Sequence, residues 1–248
     1  MMKHKTTWVR LLALVLVALL PLIMLGLLGF WLIKEPKVDT SANTRYFANL
    51  LYGFRPSTVG QHPQLYVLLG VFVLFNIAIQ IFMPYLIIYY EISLGMADYV
   101  LVMAPAIILA SVATALWGRV YDKKGFKLTG ILAMLWMCAG FVMLFFFRAK
   151  MLVFIGSLLM MCGYLSGMAV FGAMIRDNTP ENKAGMFQGL RIFAQVLIPG
   201  IVGPAIGSAV LKNAETIVNS DGTTSFLPNE NIFLTALIVA VLLIPLII

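Results

Sequence analysis

The chain has 248 residues, of which 62% are hydrophobic and 11% are charged, and its mean hydropathy is +0.99. Soluble domains carry roughly 25% charged residues, so this composition excludes a soluble globular protein and indicates an integral membrane protein. The formal net charge is +7, but the basic residues gather in short loops beside apolar runs. That pattern reflects membrane topology, and we predict no nucleic-acid partner.

Seven apolar segments are long enough to cross the roughly 30 Å hydrocarbon core of a bilayer as helices. Helices are expected because lipid offers backbone groups no hydrogen-bond partner, and the short alternating strands of a β-barrel are missing from the sequence. The sequence therefore predicts an all-α membrane protein, a helical bundle of about seven transmembrane helices. The segments cover residues 8–33, 65–90, 97–117, 128–147, 151–175, 187–211 and 231–248.

The first segment resembles a signal peptide at its start, where Lys3, Lys5 and Arg10 precede an apolar run. The run continues to about Ile33, which exceeds the roughly 7–15 residues of a signal core, and it lacks a small-residue cleavage site. We interpret residues 1–33 as a retained transmembrane helix.

A polar connector covers residues 34–64 and is punctuated by Pro36, Pro56 and Pro63. Within it, residues 45–54 have apolar side chains at helical spacing and are consistent with an amphipathic helix on the membrane surface. The alternative is a plain connector whose aromatic side chains touch the bilayer.

Basic residues predict the orientation of the chain. They gather in the connector, in the loop at 118–127 and in the loop before the sixth span, and these three loops alternate. The positive-inside rule makes all three cytoplasmic and leaves the other loops outside. Lys3, Lys5 and Arg10 conflict with this scheme, because alternation places the N-terminus outside. A chain that lacks its natural beginning would explain the conflict.

The loop between the third and fourth spans carries glycines, an acid and basic side chains at a defined spacing. The stretch resembles the loop signature of the major facilitator superfamily, G-x-x-x-D-[RK]-x-G-[RK]-[RK], which joins the second and third helices of each half of such transporters. Phe126 departs from it, where the signature has a basic residue. The matching residues, here termed the first motif, are Gly118, Arg119, Asp122, Lys123, Gly125 and Lys127.

Each type of residue in the first motif has a physical role. Gly118 and Gly125 allow close helix approach and a tight turn, because glycine has no side chain. Asp122 can cap the following helix or pair with a basic residue across an interface that opens and closes. An ordinary positive-inside hairpin is the alternative interpretation.

A second stretch, from Arg176 to Arg191, leads into the sixth span. It resembles the cytoplasmic loop between the tenth and eleventh helices of the glycoside-pentoside-hexuronide cation symporters, a branch of the same superfamily. Thr179 as a cap and Pro180 in the first turn also predict a short helix within this loop. For Arg191, about one turn inside the span, we expect a loop-bracing or snorkelling role. The residues of this second motif are Asp177, Pro180, Lys183, Gly185 and Arg191.

The two resemblances together set a register. They make the first span helix six of a twelve-helix transporter, residues 34–64 the cytoplasmic central loop, and residues 65–248 the six-helix C-terminal bundle, truncated at its end. The expected partners are then the lipid bilayer and a missing N-terminal half.

Polar residues inside the spans are candidates for substrate binding, because each is costly in hydrocarbon unless it faces protein or water. Amides that hydrogen-bond and aromatic faces that stack suit a sugar or glycoside. The alternative is that the amides pack helices together, and we expect Tyr89 and Tyr90 to form an interfacial belt. The stretch 199–207, rich in glycine and proline, predicts a kinked helix. The candidate substrate-binding residues are Asn76, Gln80, Tyr85, Tyr164 and Gln195.

These features predict a fragment of a secondary active transporter that moves a sugar or related small solute by alternating access, as a multi-pass protein of the inner (plasma) membrane. A coupling cation, sodium or proton, is expected, and no cofactor. No catalytic or metal-binding constellation is present in the sequence, so we predict neither an enzyme nor a metal site. The alternatives are a stand-alone seven-span binding protein, a half-transporter that acts as a dimer, or a major facilitator that carries a non-sugar solute.

Overall fold

The structure is a computed structural model that describes residues 24–32, 52–180, 183–218 and 224–247. The chain divides into two units, Met1–Tyr46 and Phe47–Ile248. In the first unit, residues 24–32 form a helix, α1, which lies within the predicted first span. The rest of that span, and most of the predicted surface helix at 45–54, lie outside the described residues.

The second unit consists almost entirely of helices, and their bounds agree with the predicted spans to within a few residues except at the end of the third span, which continues to residue 124. Four of the described helical segments, with Val100–Phe146 counted as one, are long and apolar enough to cross a membrane, and the last helix is a shorter apolar one. The predicted all-α membrane fold is confirmed. In chain order the elements are a 3₁₀ turn (Tyr52–Phe54), α2 (Pro56–Gln61), α3 (Pro63–Ser93), the segment Val100–Phe146, which contains α4 and α5, then α6 (Lys150–Asp177), α7 (Ala184–Asn213) and α8 (Asn231–Ile247).

The segment Val100–Phe146 reverses direction at Gly125, which has φ 76° and ψ −179°. We therefore treat residues 100–124 as α4 and residues 126–146 as α5. The rings of Trp117 and Trp136 lie 4.5 Å apart across the reversal, which only a folded-back chain allows. The predicted loop over 118–127 is thus too long. Helix α4 continues through the charged residues of this stretch and ends only at Gly125, whose backbone conformation favours glycine.

Helices α3 and α7 are interrupted near prolines. In α3 the regular helix ends at Phe82, and a 3₁₀ turn around Pro84 and a π turn at Tyr89–Ser93 follow. In α7 a π turn covers Phe193–Leu197, directly before an α-helix over Ile198–Val210. Proline lacks the N–H that a helix needs, so the winding changes beside it. The predicted break near Pro84 is confirmed.

Close packing of α5 on α6 depends on glycine. A Cβ on Gly140 would lie 2.7 Å from Met160 Cα, and a Cβ on Gly163 would lie 2.6 Å from Met137 Cβ. Both distances are shorter than side chains tolerate, so the two helices approach more closely than larger residues would allow.

Helix α3 lies at the centre of the bundle and packs against α7 and α8, while α8 also packs against the segment that contains α5. Buried aromatic rings fill the centre. The Phe82 ring of α3 lies 5.2 Å from the Phe141 ring of α5 and 5.8 Å from the Phe233 ring of α8.

The loop between α7 and α8 contains a small antiparallel hairpin of β1 (Thr216–Val218) and β2 (Thr224–Phe226), with Ile217 opposite Ser225. The sequence analysis predicts no strand here. The residues of β1 are β-branched and suit a strand, but a run this short gives too little periodicity to distinguish it from a loop.

Candidate functional site

The side chains of Gln80 and Tyr85 lie at a tight seam between α3 and α7. A Cβ on Gly203 would lie 2.8 Å from the Gln80 carbonyl carbon, and a Cβ on Gly207 would lie 2.6 Å from Tyr85 Cε2. The Tyr85 hydroxyl donates to the Pro204 carbonyl oxygen at 3.2 Å. The glycines of α7 thus bring two of the predicted substrate-binding residues to one seam.

Asn76 lies one helical turn before Gln80 on the same face of α3. Its side chain is 5% exposed, and its Nδ2 donates to the backbone carbonyl of Phe72 at 2.8 Å. This local bond satisfies one of its two amide hydrogens and leaves the other hydrogen and the carbonyl oxygen for further contacts.

Tyr164 of α6 and Gln195 of α7 are half-buried. Gln195 belongs to the π turn at Phe193–Leu197, and π turns occur frequently at functional sites because they re-aim side chains. The π turn packs against α3. Within the described part of the chain, no hydrogen bond joins Tyr164 to Gln80 or Tyr85, so the structure groups the α3 and α7 residues and leaves Tyr164 on a separate helix.

The first motif occupies the last turns of α4, the reversal and the start of α5. The positive φ of Gly125 confirms the predicted tight turn. A Cβ on Gly118 would meet no atom within 4 Å, so the predicted close approach there is not seen among the described residues. Arg119, Asp122, Lys123 and Lys127 are exposed. Asp122 has no ion pair among the described residues, and its predicted role as a cap or partner stays a prediction.

The two motifs are joined by a residue that the sequence analysis does not single out. The Tyr121 hydroxyl donates to Asp177 Oδ2 at 3.0 Å, and Asp177 also pairs with Arg176 at 3.2 Å. Tyr121 stands inside the first motif, but its partner lies 56 residues away. No local pattern reveals a contact over that separation.

Lys183 of the second motif contacts Tyr52, which lies in the connector just before α2. Its Nζ donates to the Tyr52 hydroxyl at 2.5 Å and lies 4.7 Å from the centre of the ring. This hydrogen bond, with the positive charge of Lys183, lowers the pKa of the Tyr52 hydroxyl. The contact thus links the connector to Lys183, the residue directly before α7.

The Thr179 hydroxyl donates to the Ile175 carbonyl oxygen at 2.6 Å and so satisfies the end of α6, while α7 begins at Ala184 without a side-chain cap. The short helix that Thr179 is expected to cap would include residues 181 and 182, which lie outside the described residues, so this cap stays a prediction. Pro180 lies before α7, and Gly185 has open space around it.

Arg191 lines a recess of about 180 Å³ between α3, α6 and α7. Its Nη2 lies 3.1 Å from the position that a Cβ of Gly172 would take, so the guanidinium lies against the backbone of α6. Leu65, Phe187 and Gln188 line the same recess. This geometry agrees with the predicted bracing role, since the long side chain spans from α7 to α6.

The apolar helices, the reversal at Gly125 and the contact between Tyr121 and Asp177 are those of a helical membrane protein. The family model described as Major Facilitator Superfamily matches residues 6–204 of the chain. The chain belongs to the Major Facilitator Superfamily. No curated protein matches the chain. Membership makes the protein a multi-pass membrane protein of a transporter family, which acts on small-molecule solutes in a lipid bilayer.

For this member of the Major Facilitator Superfamily, the expectation for Tyr89 and Tyr90 is wrong. Both side chains are buried in protein, at 1% and 0% exposure, and neither forms an interfacial belt. The Tyr90 hydroxyl and Ser157 Oγ are hydrogen-bonded at 2.8 Å. A tyrosine near the end of a span can face either lipid or protein, and the sequence does not distinguish the two. Here the π turn at Tyr89–Ser93 directs both side chains into the bundle.

Proposed function

We propose that the chain forms part of a secondary active transporter that moves a sugar or related small polar solute by alternating access, coupled to sodium or protons. The observation that carries this proposal is the seam of α3 and α7, where Asn76 and Gln80 lie on one face of a buried helix. Amide side chains both donate and accept hydrogen bonds, as sugar hydroxyls do, so the two kinds of group can pair in both directions.

Irregular helical turns in α3 and α7, on both sides of the seam, support the proposal that these helices bend. The 3₁₀ turn at Met83–Tyr85 and the π turn at Phe193–Leu197 interrupt the two helices that carry the amides. Interrupted helices in transporters free backbone groups near a substrate and can bend as the two bundles rock. We propose that solute binding to Gln80, Tyr85 and Gln195 is coupled to bending at these turns.

The register proposed from the two motifs assigns α3 to α8 to helices seven to twelve. In this assignment the connector before residue 65 joins two six-helix bundles on the cytoplasmic side. The exposed Asp122 is then available to a basic residue of the other bundle in one conformation of the transport cycle. The matched partner lies outside the described residues.

Uptake of labelled sugars into vesicles tests the proposal. The full-length protein would be reconstituted, and a panel of neutral sugars would be supplied under an imposed sodium or proton gradient. We expect concentrative uptake of at least one sugar and dependence on one of the two gradients. Uptake of no sugar under either gradient would contradict the proposal.

Variants then test the proposed residues. Asn76→Ala and Gln80→Ala each remove an amide, and Gln80→Ala retains the Cβ that packs on Gly203, so the seam is preserved. We expect about a tenfold or greater loss of uptake, as for a lost pair of directional hydrogen bonds. Gln61→Ala, the same change at an exposed residue of α2, is the matched control. Equal uptake by Gln80→Ala and Gln61→Ala would remove Gln80 from the site.

A further inference from the structure

A second polar recess, of about 310 Å³, lies at the end of the bundle opposite the two motifs. It is formed where the ends of α3 and α5 meet the loop that joins α7 to α8. Its polar lining residues are Tyr89, Ser93, Arg148, Asn213, Glu215, Asn229 and Glu230, of which Ser93 already donates to the Pro228 carbonyl oxygen. The orientation predicted from the loop charges places this end outside the membrane.

The Tyr89 hydroxyl is the feature that points to a ligand. It is buried, and it is the one buried side-chain polar atom among the described residues that has no hydrogen-bond partner. The residue is 1% exposed, and it lines the recess together with Arg148 and Glu230. An unpaired buried hydroxyl is unfavourable, so a hydrogen-bond partner in the recess is favoured.

The charged groups of the recess restrict the chemistry of that partner. Arg148 donates from Nη1 to the carbonyl oxygens of Leu144, Phe145 and Phe147, and its Nη2 pairs with Glu230 at 3.0 Å. Little donor capacity therefore remains for a ligand carboxylate. Glu215 adds a second carboxylate without a hydrogen-bond partner among the described residues, so an anion is repelled.

A bare cation is also disfavoured, because the guanidinium of Arg148 stands in the same recess. The groups that remain available are acceptors on two carboxylates, the hydroxyl of Tyr89 and the side-chain amides of Asn213 and Asn229. Asn229 already accepts from the Asn231 N–H at 3.1 Å through its oxygen, which leaves its Nδ2 to donate. An uncharged ligand with several hydroxyl groups can match donors and acceptors of this kind together.

We propose that this recess binds a small neutral polyol or monosaccharide, with the Tyr89 hydroxyl as its buried anchor. The recess is large enough for a solute of this size, and the Arg148 and Glu230 side chains are 42% and 40% exposed, so it is open to solvent. The inference rests on the proposed function only for the class of solute. The recess is a separate site from the seam that contains Gln80.

Equilibrium binding to the full-length protein in nanodiscs tests this inference, with radiolabelled D-glucose, D-xylose and D-mannitol as neutral probes and D-glucuronate as the anionic analogue. We expect at least one neutral probe to bind, and Tyr89→Phe to weaken this binding about tenfold, as for the loss of one buried hydrogen bond. Tyr90→Phe is the matched control, because it removes a buried hydroxyl that is bonded to Ser157 and lies outside the recess.

Charge provides a second readout. We expect D-glucuronate to bind more weakly than D-glucose, and Glu215→Gln to reduce that preference by about threefold or more at low salt. Equal binding of every neutral probe by wild type, Tyr89→Phe and Tyr90→Phe would show that the Tyr89 hydroxyl does not anchor the probe, and would overturn the inference. Binding of no neutral probe would overturn it as well.

The same proteins separate this inference from the proposed function. If Gln80→Ala abolishes uptake while Tyr89→Phe leaves binding unchanged, the transporter proposal stands and the inference fails. If Tyr89→Phe weakens binding while no sugar is taken up, the recess is supported and the proposed function fails.

Discussion

The hydroxyl of Tyr121 lies 3.0 Å from Asp177 Oδ2, and this hydrogen bond joins the turn between α4 and α5 to the end of α6. The stretch that contains the first motif and the stretch that contains the second are therefore in direct contact. A shift of α6 during transport would stretch or break this bond. The bond is exposed, so it contributes little free energy and can break and form again within a transport cycle.

The Tyr121–Asp177 bond is measurable by a double-mutant cycle. We expect Tyr121→Phe and Asp177→Asn to share a coupling energy of about 0.5–1 kcal/mol in thermal unfolding, because exposed charged pairs contribute little. Asp122→Asn is the control, since Asp122 has no ion pair among the described residues. It should leave stability unchanged. Additive effects of Tyr121→Phe and Asp177→Asn would show that the bond contributes nothing.

Substitution of Gly203 tests the seam between α3 and α7. Gly203→Ala adds a methyl group that would overlap Gln80, and we expect a loss of about 1–3 kcal/mol in unfolding free energy, with reduced uptake. Gly200→Ala lies one turn earlier on the same helix, where a Cβ meets no atom within 4 Å. That variant should be as stable as wild type or more stable, because alanine favours a helix. A Gly203→Ala protein as stable as Gly200→Ala would contradict the packing at this seam.

Gly125 provides a test of the reversal between α4 and α5. Its φ of 76° and ψ of −179° lie in a region that essentially only glycine occupies, so Gly125→Ala should destabilise the protein by about 1–3 kcal/mol. Gly118→Ala, in the regular part of α4 with open space around it, should be neutral or stabilising. Unfolding in a mild detergent, followed by tryptophan fluorescence from Trp117 and Trp136, measures both. Equal midpoints would show that the turn does not require glycine.

The contact between Asp98 and Lys150 predicts a dependence of stability on pH. Lys150 donates a hydrogen bond to Asp98 and lowers the pKa of that carboxyl below its usual 3.8. Because the folded-state pKa is the lower one, the pair stabilises the fold above pH 3.8, and the contribution is lost as the pH falls through the folded-state pKa.

We therefore expect wild type to melt at a higher temperature than Asp98→Asn at pH 7, with a gap that narrows below about pH 3.8. Comparing the two proteins at each pH removes the effects of other carboxyl groups. Glu91→Gln, a change of the same type at an exposed residue of α3, is the control. A gap that stays constant across this range would exclude the ion pair as its source.

Several features of this protein follow from local sequence. Apolar runs of span length predict α3 to α8, because lipid requires every backbone group to be bonded within its own segment. Gly125 marks the turn because glycine allows a positive φ, and Pro84 marks the helix break because proline restricts the backbone and lacks an N–H. The first motif, although Phe126 departs from it, predicts together with the second motif the superfamily that the family match shows.

Other features depend on contacts that only the tertiary structure brings together. Tyr121 meets Asp177, Lys183 meets Tyr52, and Tyr89 enters the bundle because a π turn rotates it there. None of these relations is encoded by spacing along the chain, since each depends on how separate helices pack. Local chemistry thus determined the helices, their turns and the family, while packing decided which polar groups meet and left the Tyr89 hydroxyl, among the described residues, buried without a hydrogen-bond partner.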